Sequence, residues 1–158
     1  MLVLLPSGAV ERPEQAGAKP RSITMNWKLI IQLSLFGLAM GIGTVFLIPS
    51  NIEPLFWGVV FVISAYFIAK HCSERHFLHG FLVSMANSVW ITAAHILLYD
   101  RYVANHPEEM AMMATMPLAG SPKLLMALMG PVFGIVSGLV LGLFALAASK
   151  FVLARKTS

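Results

Sequence analysis

From Trp27 onward the chain alternates long apolar stretches with short polar ones. The first, "WKLIIQLSLFGLAMGIGTVFLIP", is free of charge over about 20 residues from Leu29 to Ile48, enough at 1.5 Å per residue to cover the ~30 Å of a bilayer's hydrocarbon. Pro49 closes it. "SNIEP" then offers Ser50 or Asn51 as a cap and Pro54 in the first turn of a second run, about 18 residues counted from Ile52. The third run, Phe77 to Tyr99, has about 23 residues and ends at "YDRY", an interfacial mixture of tyrosine and charge. A fourth begins at "SPK", with Ser121 as cap and Pro122 in the first helical position, and continues to Lys150. At about 26 residues it exceeds the hydrocarbon thickness and should tilt or bend, with Pro131 as the cause of a bend. The pattern predicts an all-α integral membrane protein, a four-transmembrane-helix bundle with spans at residues 28–48, 52–70, 77–99 and 123–149.

Between the third and fourth spans lies "NHPEEMAMMATMP". Asn105 or His106 can cap, Pro107 suits the first turn, and Glu108 and Glu109 complement the positive end of a short helix. Met110, Met112, Met113 and Met116 give it an apolar side, so a short amphipathic helix on the outer surface is expected. Residues 1–24 differ from the remainder, residues 25–158, which form the transmembrane domain. Their Pro, Gly and Glu content predicts disorder, and no basic stretch precedes their short apolar patch, as a signal peptide would require. Met25, followed by "NWKL", makes a natural start, so this N-terminal extension reads as a mis-assigned start.

Two finer patterns lie inside the spans. At about 100° per residue, Ser84, Asn87, Ser88, Thr92 and His95 fall within an arc of roughly 140° on the third helix, with Leu82, Val83, Ala86, Val89, Trp90 and Ala93 opposite. Amide and imidazole groups are costly in hydrocarbon, so this stripe must face protein or water. The fourth span carries Gly130, Gly134, Gly138 and Gly142 at four-residue intervals, and "GLAMG" in the first adds Gly37 and Gly41. Such side-chain-free ridges let helix backbones approach closely in lipid. They predict the fourth span as the packing hub, against either the first span or the fourth span of another copy.

Composition agrees with the pattern: 58% of residues are hydrophobic and only 11% charged, too few charges to cover a water-facing surface. The basic residues set the direction. Arg12, Lys19, Arg21 and Lys28 precede the first span, Lys70 and Arg75 lie between the second and third, and Lys150, Arg155 and Lys156 follow the fourth. The other two connections hold only Arg101 and Lys123, so both termini are expected in the cytoplasm and the protein in the plasma (cytoplasmic) membrane, multi-pass. The net charge of +4 is then a record of orientation and not of nucleic-acid binding, for which no basic run interleaved with aromatics is present. The lone Cys72 excludes an intrachain disulfide.

Chemistry is sparse. His71, His76 and His79 surround the cytoplasmic loop in "KHCSERHFLH" as weak metal candidates, but their spacing matches no strong metal signature. His106 with the neighbouring methionines could serve copper(I), although methionine is apolar filler elsewhere in the chain. No metal site and no cofactor is expected. There is no HExxH, nucleophile elbow or phosphate loop, so no catalytic residues are assigned; His95, Asp100 and Glu108 are the acid–base groups that the outer end could gather. The expected function is that of a non-enzymatic assembly or accessory subunit, or of a homo-oligomer packed through the glycine ridge. Its partners would be the lipid bilayer and a second copy or another membrane protein. The alternative is a small channel or transporter with a polar pathway along Ser84, Asn87, Ser88, Thr92 and His95.

Overall fold

The computed structural model describes residues 25–154; the expectations for residues 1–24 lie outside them. The described chain is helical in six pieces: α1 (Trp27–Phe46), α2 (Glu53–His71), α3 (His76–Leu97), α4 (Tyr99–Asn105), α5 (Pro107–Met113) and α6 (Pro122–Ala154). Of these, α1, α2, α3 and α6 are long and apolar enough to cross a membrane. At 33 residues α6 is roughly 50 Å long, well beyond the hydrocarbon thickness, and Pro131 lies inside it without ending it.

Helix boundaries follow local chemistry. The Asn26 side chain caps α1 by accepting from the Leu29 N–H at 3.1 Å. Pro54 sits in the first turn of α2, where Glu53 accepts from the Trp57 indole at 3.0 Å. The chain enters α3 through Arg75 in the left-handed region (φ 54°). Leu118, in the connection between α5 and α6, has φ 71° and is exposed. A left-handed leucine costs about 1–2 kcal/mol, partly offset in any glycine replacement by the freer unfolded chain. Leu118→Gly is therefore expected to stabilise the protein by about 0.5–1 kcal/mol. A lower melting temperature in detergent would contradict this.

α3 is the centre of the bundle. It packs most extensively on α6 and next on α1, while α2 leans mainly on α6 and barely touches α1. The sequence pattern pointed to the fourth span as the hub; the structure gives that place to α3, because both glycine-bearing helices turn their ridges toward it. All four long helices share a core near one end, where Leu29, Ile30 and Leu33 of α1 meet Ala65 and Ile68 of α2, Val83 of α3 and Leu141 and Ala145 of α6. The exterior is apolar, with Leu35, Leu55, Val59, Val132, Phe133, Val136 and Leu143 all exposed. That is the reverse of a fold meant for water.

The third run is one helix, α3, to Leu97, and the chain continues helical beyond it. It breaks at Leu98 (φ −105°, ψ 31°), restarts as α4, and turns at His106 into α5. The short helix expected from Pro107 is present as α5, and α4 precedes it as a further helix. The side chain of Asn105, offered by the sequence as a cap for α5, instead donates to the Val45 carbonyl at 2.7 Å, satisfying an acceptor near the C-terminal end of α1.

Candidate functional site

The polar stripe of α3 is divided between two neighbours. Asn87 and His95 face α1: the Gly37 N–H donates to Asn87 Oδ1 at 3.1 Å, and His95 Nε2 lies 2.9 Å from Thr44 Oγ1. Thr44 has a single hydroxyl proton and also contacts the Gly41 carbonyl at 3.2 Å, so the neutral arrangement has the hydroxyl donating to Gly41 and the imidazole donating to Thr44. Ser84, Ser88 and Thr92 face α6. The Ser84 hydroxyl donates to Ser137 at 2.8 Å, which in turn donates to the Phe133 carbonyl at 2.6 Å. Ser88 satisfies its own proton on the Met85 carbonyl at 2.8 Å.

Glycine makes these contacts geometrically available. A Cβ at Gly130 would strike Thr92 Oγ1 and one at Gly134 would strike Ser88 Oγ; at Gly138 and Gly142 it would meet the rings of Phe81 and Phe77. On the opposite side of α3, a Cβ at Gly37 would come within 2.5 Å of the Asn87 Cα, and one at Gly41 within 3.1 Å of Ala94 and Ile91. The neighbour of the α6 ridge is accordingly α3 of the same chain, neither of the two candidates taken from the sequence. Gly80, on α3 itself, completes the match: a Cβ there would lie 2.7 Å from the Leu141 carbonyl oxygen. Small residues in α6 fit polar residues in α3, and backbone meets backbone where Gly80 passes Gly142.

Two buried polar atoms of this region have no hydrogen-bond partner among the described residues, Asn87 Nδ2 and, in α2, Ser64 Oγ. A third, His106 Nε2, belongs to a different cluster, at the end of the bundle that carries α4 and α5. There the rings of His95 and Tyr102 stack at 4.2 Å between centroids, and those of Tyr102 and His106 at 4.4 Å. His106 is only 3% exposed although it joins two short surface helices. Its Nδ1 lies 3.1 Å from the Tyr102 carbonyl oxygen, which can only accept, so Nδ1 carries the proton and Nε2 of the neutral ring is a bare acceptor.

Carboxylates surround this stack. Burial, and then the negative charges of Glu109 and Glu53, push the Tyr102 phenol up to about 12. For Glu109, burial acts to raise the carboxyl, but hydrogen bonds from Ser50 and its own backbone N–H, with His106 nearby, bring it below its ordinary range. This end of the bundle therefore gathers α1, α2, α3, α4 and α5 around Tyr102 and His106. Asp100 and Glu108, which the sequence suggested beside His95, are exposed instead. A signal for the actual set was present: His95, Tyr102 and His106 are spaced by seven and four residues, one face of a helix continued through Leu98.

At the other end, the three weak metal candidates are each bonded to backbone. His71 Nδ1 meets the Phe67 carbonyl at 3.0 Å and His76 Nε2 the Cys72 carbonyl at 2.9 Å. His79 uses both nitrogens, donating from Nδ1 to the Arg75 carbonyl at 3.0 Å and accepting the Asn26 N–H at 3.0 Å. Burial pushes the Cys72 thiol up, which disfavours the reactive thiolate. Among the described residues no group of three or more His, Cys, Asp or Glu side chains could hold a metal ion. Comparison of the chain with protein-family models, with curated proteins and with solved structures gave no match.

Proposed function

We propose that the chain crosses the cytoplasmic membrane four times, with both termini in the cytoplasm, and acts there as a non-enzymatic assembly or accessory subunit. The observation that carries this reading is the occupation of the α3 polar face. Asn87 and His95 are engaged by α1, and Ser84, Ser88 and Thr92 lie against Ser137, Gly134 and Gly130 of α6. A solute path would need that face open. Interhelical hydrogen bonds of this kind are worth about 0.6–2 kcal/mol each, so the stripe serves as glue between helices. With both glycine ridges used within the chain, a partner or second copy would dock on the exposed apolar sides of α2 and α6, which carry Leu55, Val59, Val132, Phe133 and Val136.

The second reading, a channel or transporter along Ser84, Asn87, Ser88, Thr92 and His95, is favoured by one observation, the unpartnered Asn87 Nδ2. Proteoliposomes separate the two. The purified protein is expected to leave proton and potassium permeability at that of empty vesicles; a flux that Asn87→Ala or His95→Ala abolishes would replace the first reading with the second. The orientation has its own test. In a Cys72→Ser background, Arg101→Cys and Lys123→Cys are expected to react with an impermeant maleimide from outside the cell, and Lys70→Cys only after permeabilisation.

A further inference from the structure

The side chain left unexplained by packing glue is His106. It is a surface-loop imidazole buried to 3% exposure and stacked on Tyr102, with one nitrogen committed and the other bare. A proton taken from water onto Nε2 creates a second N–H with no acceptor among the described residues, in a place where an unsatisfied buried donor is costly. We propose that His106 is a proton-operated latch: protonation at Nε2 expels the imidazole from its stack on Tyr102 and releases the α4–α5 junction from the end of α1.

The latch has a hinge and a catch. Leu98 breaks the helix between α3 and α4, so the outer segment can move without disturbing α3. The catch is the adjoining Asn105, whose amide holds the Val45 carbonyl and links the latch residue directly to α1. The titratable groups around the stack of Tyr102 and His106 are Glu53 from α2, His95 from α3, Tyr102 itself from α4 and Glu109 from α5. α1 brings Thr44 against His95 and the Val45 carbonyl against Asn105. Glu109 attracts the imidazolium, but its carboxylate is already held by Ser50 and its own N–H. That the latch meets the external medium rests on the proposed orientation; the latch itself does not.

The test is hydrogen exchange of residues 99–113 in the full chain in nanodiscs, compared at pH 7.5 and pH 5.0 after correction for intrinsic exchange. Protection of this segment in the wild type is expected to fall at least about tenfold at the lower pH, while α3 and α6 stay unchanged. His106→Phe, which keeps the stack and cannot take a proton, is expected to stay protected at both values, and Glu109→Gln to respond like the wild type. Unchanged wild-type protection, or a pH response that survives in His106→Phe, overturns the proposal. Should His106→Phe fail to fold, nitrogen NMR of the wild-type imidazole decides: Nε2 protonation with the Tyr102 stack intact overturns the latch, and protonation coincident with loss of the stack supports it.

Discussion

Gly80→Ala is expected to destabilise the protein by about 2–3 kcal/mol, toward the upper end of the usual cost of overpacking. The added methyl would lie 2.7 Å from the Leu141 carbonyl oxygen and 2.9 Å from the Gly142 Cα, both backbone atoms of α6 that no rotamer change can move. Relief requires the two helices to part. Because the rest of the interface is keyed to this crossing, Ser84 would then lose Ser137, and Thr92 would lift from Gly130. In a chain of this size each kcal/mol shifts the melting temperature by about 2–4 °C, so a fall of several degrees in detergent is expected. Gly58→Ala is the control. A Cβ there meets nothing within 4 Å, and an alanine in a helix interior is favoured over glycine by about 0.5–1 kcal/mol. If Gly80→Ala and Gly58→Ala melted alike, the close α3–α6 crossing would be wrong.

Asn87→Asp tests the other side of α3. Asn87 is 1% exposed and its Oδ1 accepts from Gly37, whose added Cβ would press on the Asn87 backbone itself. The aspartate keeps the acceptor and the shape but brings a charge into the middle of the bundle, where insertion scales place the cost near 2.5–3.5 kcal/mol. Asn87→Ala removes the acceptor and leaves a small void, for a loss of about 1–2 kcal/mol. The expected order of melting temperatures is wild type, then Asn87→Ala, then Asn87→Asp. An aspartate variant as stable as the wild type would mean that water reaches this position, and the conduit reading would gain accordingly.

The long helices were legible because an unbroken apolar run long enough to cross about 30 Å of hydrocarbon is a mark that no local context can imitate. The polar stripe was legible for a related reason, since Asn87 and His95 could not be left to lipid. What the periodicity could not name was the neighbour. Four glycines in register describe a smooth face on α6 and say nothing of what lies against it; the complementary surface, Gly80 with Ser88 and Thr92, is spelled out on α3 in small and polar residues whose fit appears only once the helices are placed together. The cluster around Tyr102 and His106 escaped for a different cause. Glu53, Ser50, Tyr102 and Glu109 come from separate segments, and the break at Leu98 hid the one local clue, the shared face of His95, Tyr102 and His106.

The order in which helices meet is not the order in which they are made. α1 finds its principal neighbour in α3 and α2 finds its own in α6, so α1 and α2, adjacent in the chain, are near strangers in the bundle. Each must wait for a later segment, α2 until α6 is made. The bundle can thus be assembled only once α6 is present, and a chain cut short before it would leave α2 without its companion.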